Sequence, residues 1–194
     1  APLRSVLRAL GARPLVPVWL ATTIFSGLVA VAMAFATVTA EARGLERPAL
    51  LWYTYAGGAA FVRLLGARLP DRIGPHNVVT PALAAYTFGM ITLAGAHDDQ
   101  GFLLGGLLCG IGHGYCFPVL TSQVVTRAPD AMRGAALAFF TGLWDVTYLV
   151  LPPALGAIGD RTEDAVIFLL AATGTTIGLS IWLVLEHRWG RPQP

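Results

Sequence analysis

Two residues, Asp145 and His113, carry reactive side chains inside long uncharged runs of this 194-residue sequence. Asp145 lies near the middle of an apolar segment, where a charged side chain facing lipid costs at least about 2.5–3.5 kcal/mol. Helical spacing puts Ala138, Thr141, Gly142, Tyr148 and Pro152 on its face. A stripe of small and polar side chains around a buried carboxylate suits the wall of a wet cavity. Such an acid is placed to couple protons or to bind a cation, with Thr141 and Tyr148 beside it. The structural alternative is an aspartate that hydrogen-bonds a neighbouring helix. His113 shares its face with Gly106, Gly110, Phe117 and Thr121. It could relay protons or bind substrate, or be a core histidine satisfied within glycine-rich packing. Thr22, Thr23, Ser26, Tyr55, Tyr86 and Trp144 are further cavity-lining candidates that no spacing selects.

The elements that must hold these groups are set by composition. The chain is 55% hydrophobic and 12% charged, with a mean hydropathy of +0.64. A soluble domain carries about 25% charged residues, so the balance points to a membrane protein. Six apolar segments follow one another, at about 16–40, 48–69, 77–96, 101–125, 131–158 and 165–185. Each is near or above the ~20 residues that a helix needs to cross ~30 Å of hydrocarbon. The links are short, so consecutive helices should run antiparallel. Residues 1–15 read as an amphipathic surface helix, with Leu3, Val6, Leu7 and Leu10 beside Arg4 and Arg8. Residues 187–194 form a polar tail.

Charge in the links sets the orientation. All 13 basic residues are arginine. Arg4, Arg8, Arg13, Arg68, Arg72, Arg127, Arg133, Arg188 and Arg191 fall on one side, and only Arg43, Arg47 and Arg161 on the other. By the positive-inside rule both termini should be cytoplasmic, in a multi-pass protein of a cytoplasmic or inner membrane. Trp52, Tyr53 and Tyr55 should form an outer aromatic belt, with Trp189 as an inner anchor. A net charge of +2 with dispersed arginines gives no reason to invoke nucleic acid. Cys109 and Cys116 lie roughly 10 Å apart along one helix, too far for a disulfide. No metal-ligand spacing, cofactor loop or paired intramembrane acid is present, so no cofactor and no enzyme activity are expected.

Small residues mark helix contacts. Gly106, Gly110 and Gly114 recur every fourth residue, as do Gly174 and Gly178, a spacing that lets helix backbones approach closely. Pro118 and the pair Pro152-Pro153 should kink or break their helices. The run Arg63-Leu-Leu-Gly-Ala-Arg-Leu-Pro-Asp-Arg-Ile-Gly-Pro-His76 forms a tight charged turn at a membrane surface, with Gly74 at a sharp bend and Pro75 opening the next helix. Arg63 is about two turns from the helix end, where it could snorkel to the interface or reach Asp71.

This turn resembles the signature loop of the major facilitator superfamily. Asp71, Arg72 and Gly74 match the pattern, Ala67 stands where a glycine is usual, and Pro75 and His76 replace a basic pair. Arg127-Ala-Pro-Asp-Ala-Met-Arg-Gly134 is similar to the turn between the fourth and fifth helices of one half of such carriers. Gly142-Leu-Trp-Asp145 with Pro152-Pro153-Ala-Leu-Gly156 looks like the acidic, Gly-Pro-rich helix of bacterial efflux-type members. The resemblance implies an all-α membrane protein in which six transmembrane helices form one half of the fold, built from two inverted three-helix repeats, with substrate bound between halves. It implies that Arg63, Asp71, Arg72, Gly74 and Arg133 belong to a cytoplasmic charge network that biases one access state.

The function expected is the carboxyl-terminal half of a secondary transporter. It would move a small molecule by alternating access and couple efflux to protons. Its partners would be substrate, protons, lipid and an amino-terminal six-helix half. The alternative is a six-helix scaffold or sensor that does not transport, or a half that pairs with itself.

Overall fold

The computed structural model describes residues 8–190. Arg4 and most of the apolar stripe expected at the amino terminus lie outside the described residues, as does Arg191. Residues 8–10 are helical, and seven helices follow: α1 Val16–Ala42, α2 Leu50–Gly66, α3 Leu69–Ile73, α4 Pro75–Gly95, α5 Asp99–Arg127, α6 Arg133–Gly159 and α7 Asp164–Trp189. A short 3-10 turn, Asp130–Met132, leads into α6. Among the described residues there is no strand. Helices α1, α4, α5, α6 and α7 are long and apolar enough to cross a membrane. Helix α2, with 17 residues, sits at the lower limit of about 17–25 residues for a span.

The second apolar segment is shorter than its sequence extent of 48–69, and Pro70 is the reason. Proline has no N–H to give to the Gly66 carbonyl four residues back, so α2 ends there and Leu69-Pro70 opens the separate helix α3. The turn is therefore not a simple tight link. Gly74 holds φ +87°, a conformation that favours glycine, and Pro75 takes the first position of α4. By contrast, helix α5 continues through Pro118 and α6 through Pro152 and Pro153, so neither is broken. Lost backbone bonds inside a span are tolerated when neighbours supply replacements.

Leaving the short α3 aside, the helices form two triplets, α1–α2–α4 and α5–α6–α7, which pack mainly on each other rather than within themselves. Helix α1 packs on α6 and α7, and α5 packs on α2 and α4. Exchanging the triplets maps one set of contacts onto the other, and α4 against α7 closes the ring. Three helices per triplet reverse direction once more at the α4–α5 link, so the repeats are inverted. Contacts bear this out: Leu51/Gly106, Tyr55/Gly110 and Ala59/Gly114 lie at one constant spacing, so α2 and α5 run parallel. Trp19/Phe139 and Phe25/Trp144 make α1 and α6 parallel as well.

Burial is uneven. Helix α1 runs through the core, with Phe25, Leu28, Val29 and Val31 fully enclosed. Helix α6 buries only Ala136, Phe140 and Leu155, and α2 only Leu51, Tyr55, Gly58 and Val62. Large apolar side chains such as Leu64, Leu65, Leu149 and Val150 stand on the outer faces of these two helices, as expected where lipid or another membrane-embedded surface replaces water. Gly106, Gly110 and Gly114 lie against the α2 backbone at Leu51, Tyr55 and Ala59. In α7 only Gly178 meets a neighbour, Ile24; Gly174 borders open space and makes no close helix contact.

Two arginines tie the bundle at its ends. Arg43 donates to the carbonyls of Leu93 (3.0 Å), Ala94 (3.1 Å) and Ala96 at the end of α4, where helical donors run out. It also pairs with Asp164 at the start of α7 (3.4 Å) and lies over the Phe102 ring. At the opposite end Arg127 pairs through both terminal nitrogens with Glu186 of α7 and donates to the Pro14 carbonyl (3.1 Å) and Gln123 Oε1 (2.9 Å). Helix α7 is thus held at each end by a carboxylate.

Candidate functional site

An aromatic cluster fills the space where α1, α2, α4, α5 and α6 converge. Tyr55 of α2 hydrogen-bonds His113 Nδ1 of α5 (2.7 Å), and its hydroxyl lies 3.4 Å from that of Tyr86 of α4. The short α2–α5 approach produces this contact, because Gly110 lets the Tyr55 backbone come close one turn before His113. His113 stacks on Phe117 (centroids 6.0 Å, planes 7° apart). Phe25 of α1 lies edge-on beneath His113, Tyr86 and Trp144. Trp144 of α6 meets Phe117 edge-on (5.7 Å) and stacks on Tyr148 (6.1 Å, 23°). Its Nε1 is buried without a hydrogen-bond partner. Nearby, Ser26 donates to Thr147 Oγ1 (3.0 Å), joining α1 to α6.

His113 is therefore partnered by Tyr55, not by Asp145. The Tyr55 side chain is 8% exposed, so it belongs to the interior and not to an aromatic belt. Trp52 is half-buried and bonded to Thr37 Oγ1, which leaves Tyr53 alone on the surface. Asp145 is not enclosed either. It is exposed on α6, and no ion pair among the described residues includes it. The reason is the small buried arc of α6, which turns Phe140 and Trp144 inward and leaves Thr141, Asp145 and Tyr148 on the open side. Thr141 bonds its own helix at the Leu137 carbonyl.

The charged turn is dispersed. Asp71, Arg63, Phe117, Thr121 and Gln123 line a cavity of about 710 Å³ beside the aromatic cluster, while Arg72 lines a neighbouring one of about 590 Å³ with Arg68 and Tyr115. Arg133 pairs locally with Asp130 (2.8 Å) and donates to the Val125 carbonyl. It does not meet Asp71 or Arg72 within this chain. Arg63 neither reaches Asp71 as an ion pair nor extends free. Its Nε points to the Gly114 carbonyl at 3.5 Å, the long limit of hydrogen bonding. That carbonyl is the one Pro118, four residues on, cannot serve. If Arg63 replaces the missing donor, Arg63→Met should destabilise the wild-type helix pair but matter less in a Pro118→Ala background. A double-mutant cycle by thermal melting is expected to give a coupling of about 0.5 kcal/mol or more; additive effects would refute the pairing.

The family profile of the Major Facilitator Superfamily matches residues 1–150. The chain belongs to the Major Facilitator Superfamily. Among its relatives, an uncharacterised MFS-type transporter of Salmonella typhimurium strain LT2 is 28% identical over 180 residues, covering 88% of this chain and 46% of the relative. A second, from Pseudomonas aeruginosa strain UCBPP-PA14, is 27% identical over 158 residues, 81% of this chain and 39% of its own length. A third, from Burkholderia mallei strain SAVP1, is 30% identical over 132 residues, 66% and 32% respectively. The chain thus spans less than half the length of these relatives. The all-α bundle of two inverted helix triplets is the architecture of one half of a Major Facilitator Superfamily protein, and the chain is a multi-pass membrane segment of that family.

Proposed function

We propose that this chain is the carboxyl-terminal half of a secondary carrier of a bacterial cytoplasmic membrane, with both ends facing the cytoplasm. In this reading it exports a small molecule by alternating access against an inward proton flow. The observation that carries the proposal is the aromatic cluster around the Tyr55–His113 hydrogen bond, which borders the open side of the bundle between the poorly buried helices α2 and α6. A second six-helix half seated on α2 and α6 would turn this open side into a closed central chamber. The relatives' greater length supports the existence of such a partner. Asp145 and His113 are the proton-carrying candidates, with Thr141 and Tyr148 at the cargo. Asp71 and Arg72, which belong to no ion pair among the described residues, and Arg133, which pairs only with Asp130 of its own turn, would meet charges on the other half, where a few kcal/mol of contact suffices to bias rocking.

The test uses the complete gene product in proteoliposomes under a proton gradient, with a trapped pH dye. Drugs, sugars and organic anions are added one at a time. At least one compound is expected to discharge the gradient through the wild-type protein, and Asp145→Asn is expected to cut that discharge by about tenfold or more. A variant that discharges the gradient at wild-type rate, with unchanged pH dependence, would remove Asp145 from the coupling scheme.

A further inference from the structure

We infer that the groove between α2, α3 and α5 holds an anionic phospholipid, with its phosphate on Arg68 and Arg72 and an acyl chain along α2. The inference does not depend on what is carried or in which direction. It needs only that this end of the bundle lies at a membrane surface.

The first observation is a sorting of charge by the break at Pro70. Helix α2 ends at Gly66, Arg68 caps the short helix α3, and Arg72 lies in its last turn. Asp71 lines the cavity beside the aromatic cluster, whereas Arg68 and Arg72 line the neighbouring groove of about 590 Å³, which no acidic side chain shares. Neither arginine enters an ion pair among the described residues. Residues four apart on a helix stand one turn from each other, with about 5–6 Å between Cβ atoms. One phosphate bridges that gap with charge-assisted hydrogen bonds to both guanidiniums.

The second is the wall beneath the arginines. Phe61, Leu64 and Leu65 of α2 line the same groove and are 58%, 81% and 75% exposed. A contiguous apolar surface of this kind calls for hydrocarbon and not water. The third is Tyr115 of α5, which lies so close to Gly66 that a Cβ there would strike its hydroxyl. The glycine thus seats an amphipathic ring at the level where the apolar wall gives way to the arginines, the position such rings favour at a membrane–water interface.

Other occupants satisfy only part of this groove. A choline or ethanolamine headgroup would bring an ammonium to a place with no acid to receive it. A soluble anion would use the arginines and leave the apolar wall uncovered. An anionic phospholipid matches both, and basic pockets between membrane helices recognise such headgroups. Arg72 also belongs to the charge network proposed above, so lipid and the other half compete for it, while Arg68 serves the groove alone.

The experiment measures binding of tail-labelled fluorescent phosphatidylglycerol and phosphatidylcholine, with the same acyl chains, to the complete gene product in dodecylmaltoside micelles. Phosphatidylglycerol is expected to bind about tenfold or more tightly, since one arginine near the surface contributes about fivefold. Arg68→Gln/Arg72→Gln should abolish that preference, and Leu64→Ser/Leu65→Ser should weaken both lipids alike. Arg188→Gln, at another exposed arginine, is the control and should keep the preference. Equal affinity for the two lipids, as would follow if the other half covered the groove, overturns the inference. So does an unchanged preference in the folded double arginine variant, or an equal loss in Arg188→Gln, which would mean diffuse surface charge. Displacement of the labelled lipid by inorganic phosphate as readily as by unlabelled phosphatidylglycerol would overturn it in favour of a soluble anion. Should the double variant fail to melt cooperatively, Arg68→Gln alone decides, with an expected loss of about fivefold. A missing lipid preference leaves the transport reading standing, and a missing proton-driven flux leaves the lipid groove standing.

Discussion

Replacing Gly110 with leucine is expected to unfold the α2–α5 contact and with it the site. A Cβ at Gly110 would run into the Tyr55 carbonyl, and Gly106 and Gly114 are closed in the same way by Leu51 and Ala59. Backbone cannot move aside as a flexible side chain can. The penalty should reach about 3 kcal/mol or more, the upper end for overpacking. Forcing α2 away also separates Tyr55 from His113, so ligand binding should vanish even in the fraction that stays folded. The control is Gly174→Leu, where nothing lies within 4 Å of the added Cβ. Thermal melting of both variants in detergent checks the claim. A Gly110→Leu protein that melts with the wild type would show that the helices are not in this close contact.

The second large effect is expected at the carboxyl-terminal end of α5. Arg127 and Glu186 have side chains only 11% and 8% exposed, and they join α5 to α7 and to the start of α1 through Pro14. Glu186→Ala would leave the guanidinium enclosed with only the neutral oxygens of Gln123 and Pro14. Removing one partner of a buried pair costs about 3–5 kcal/mol. The double variant Arg127→Met/Glu186→Leu should recover most of that loss, because a well-packed apolar pair avoids desolvating two charges. Melting temperatures of the single and double variants distinguish the outcomes. If the double variant falls as far as Glu186→Ala, the pair acts through shape and not through charge.

The family and the helical segments were legible in the sequence, with five of the six expected spans long and apolar enough to cross a membrane, and much of the site was not. Long uncharged runs admit one backbone solution in lipid, the helix, so the helical segments follow from length and composition. Gly74 and Pro75 announced a bend and a helix start because their allowed backbone angles are narrow. Pro70 carried equally local information, and it ended α2 at Gly66 where hydropathy alone ran on to residue 69.

Pairing was decided elsewhere. Tyr55 looked like an interfacial ring because sequence gives a residue's depth and not its facing. The parallel register of α2 on α5 turned it inward onto His113. Asp145 looked enclosed because its segment is apolar, yet α6 buries only a narrow arc and Asp145 lies outside it. Arg63 was read against Asp71, its neighbour along the chain, when its partner is a carbonyl that a proline on another helix leaves unserved. Sequence by itself determined the membrane class, the helices and the local bends, since these follow from each segment's own hydrophobicity and backbone limits. Tertiary structure alone decided which side chains meet, because rotation and register of packed helices depend on both surfaces at once.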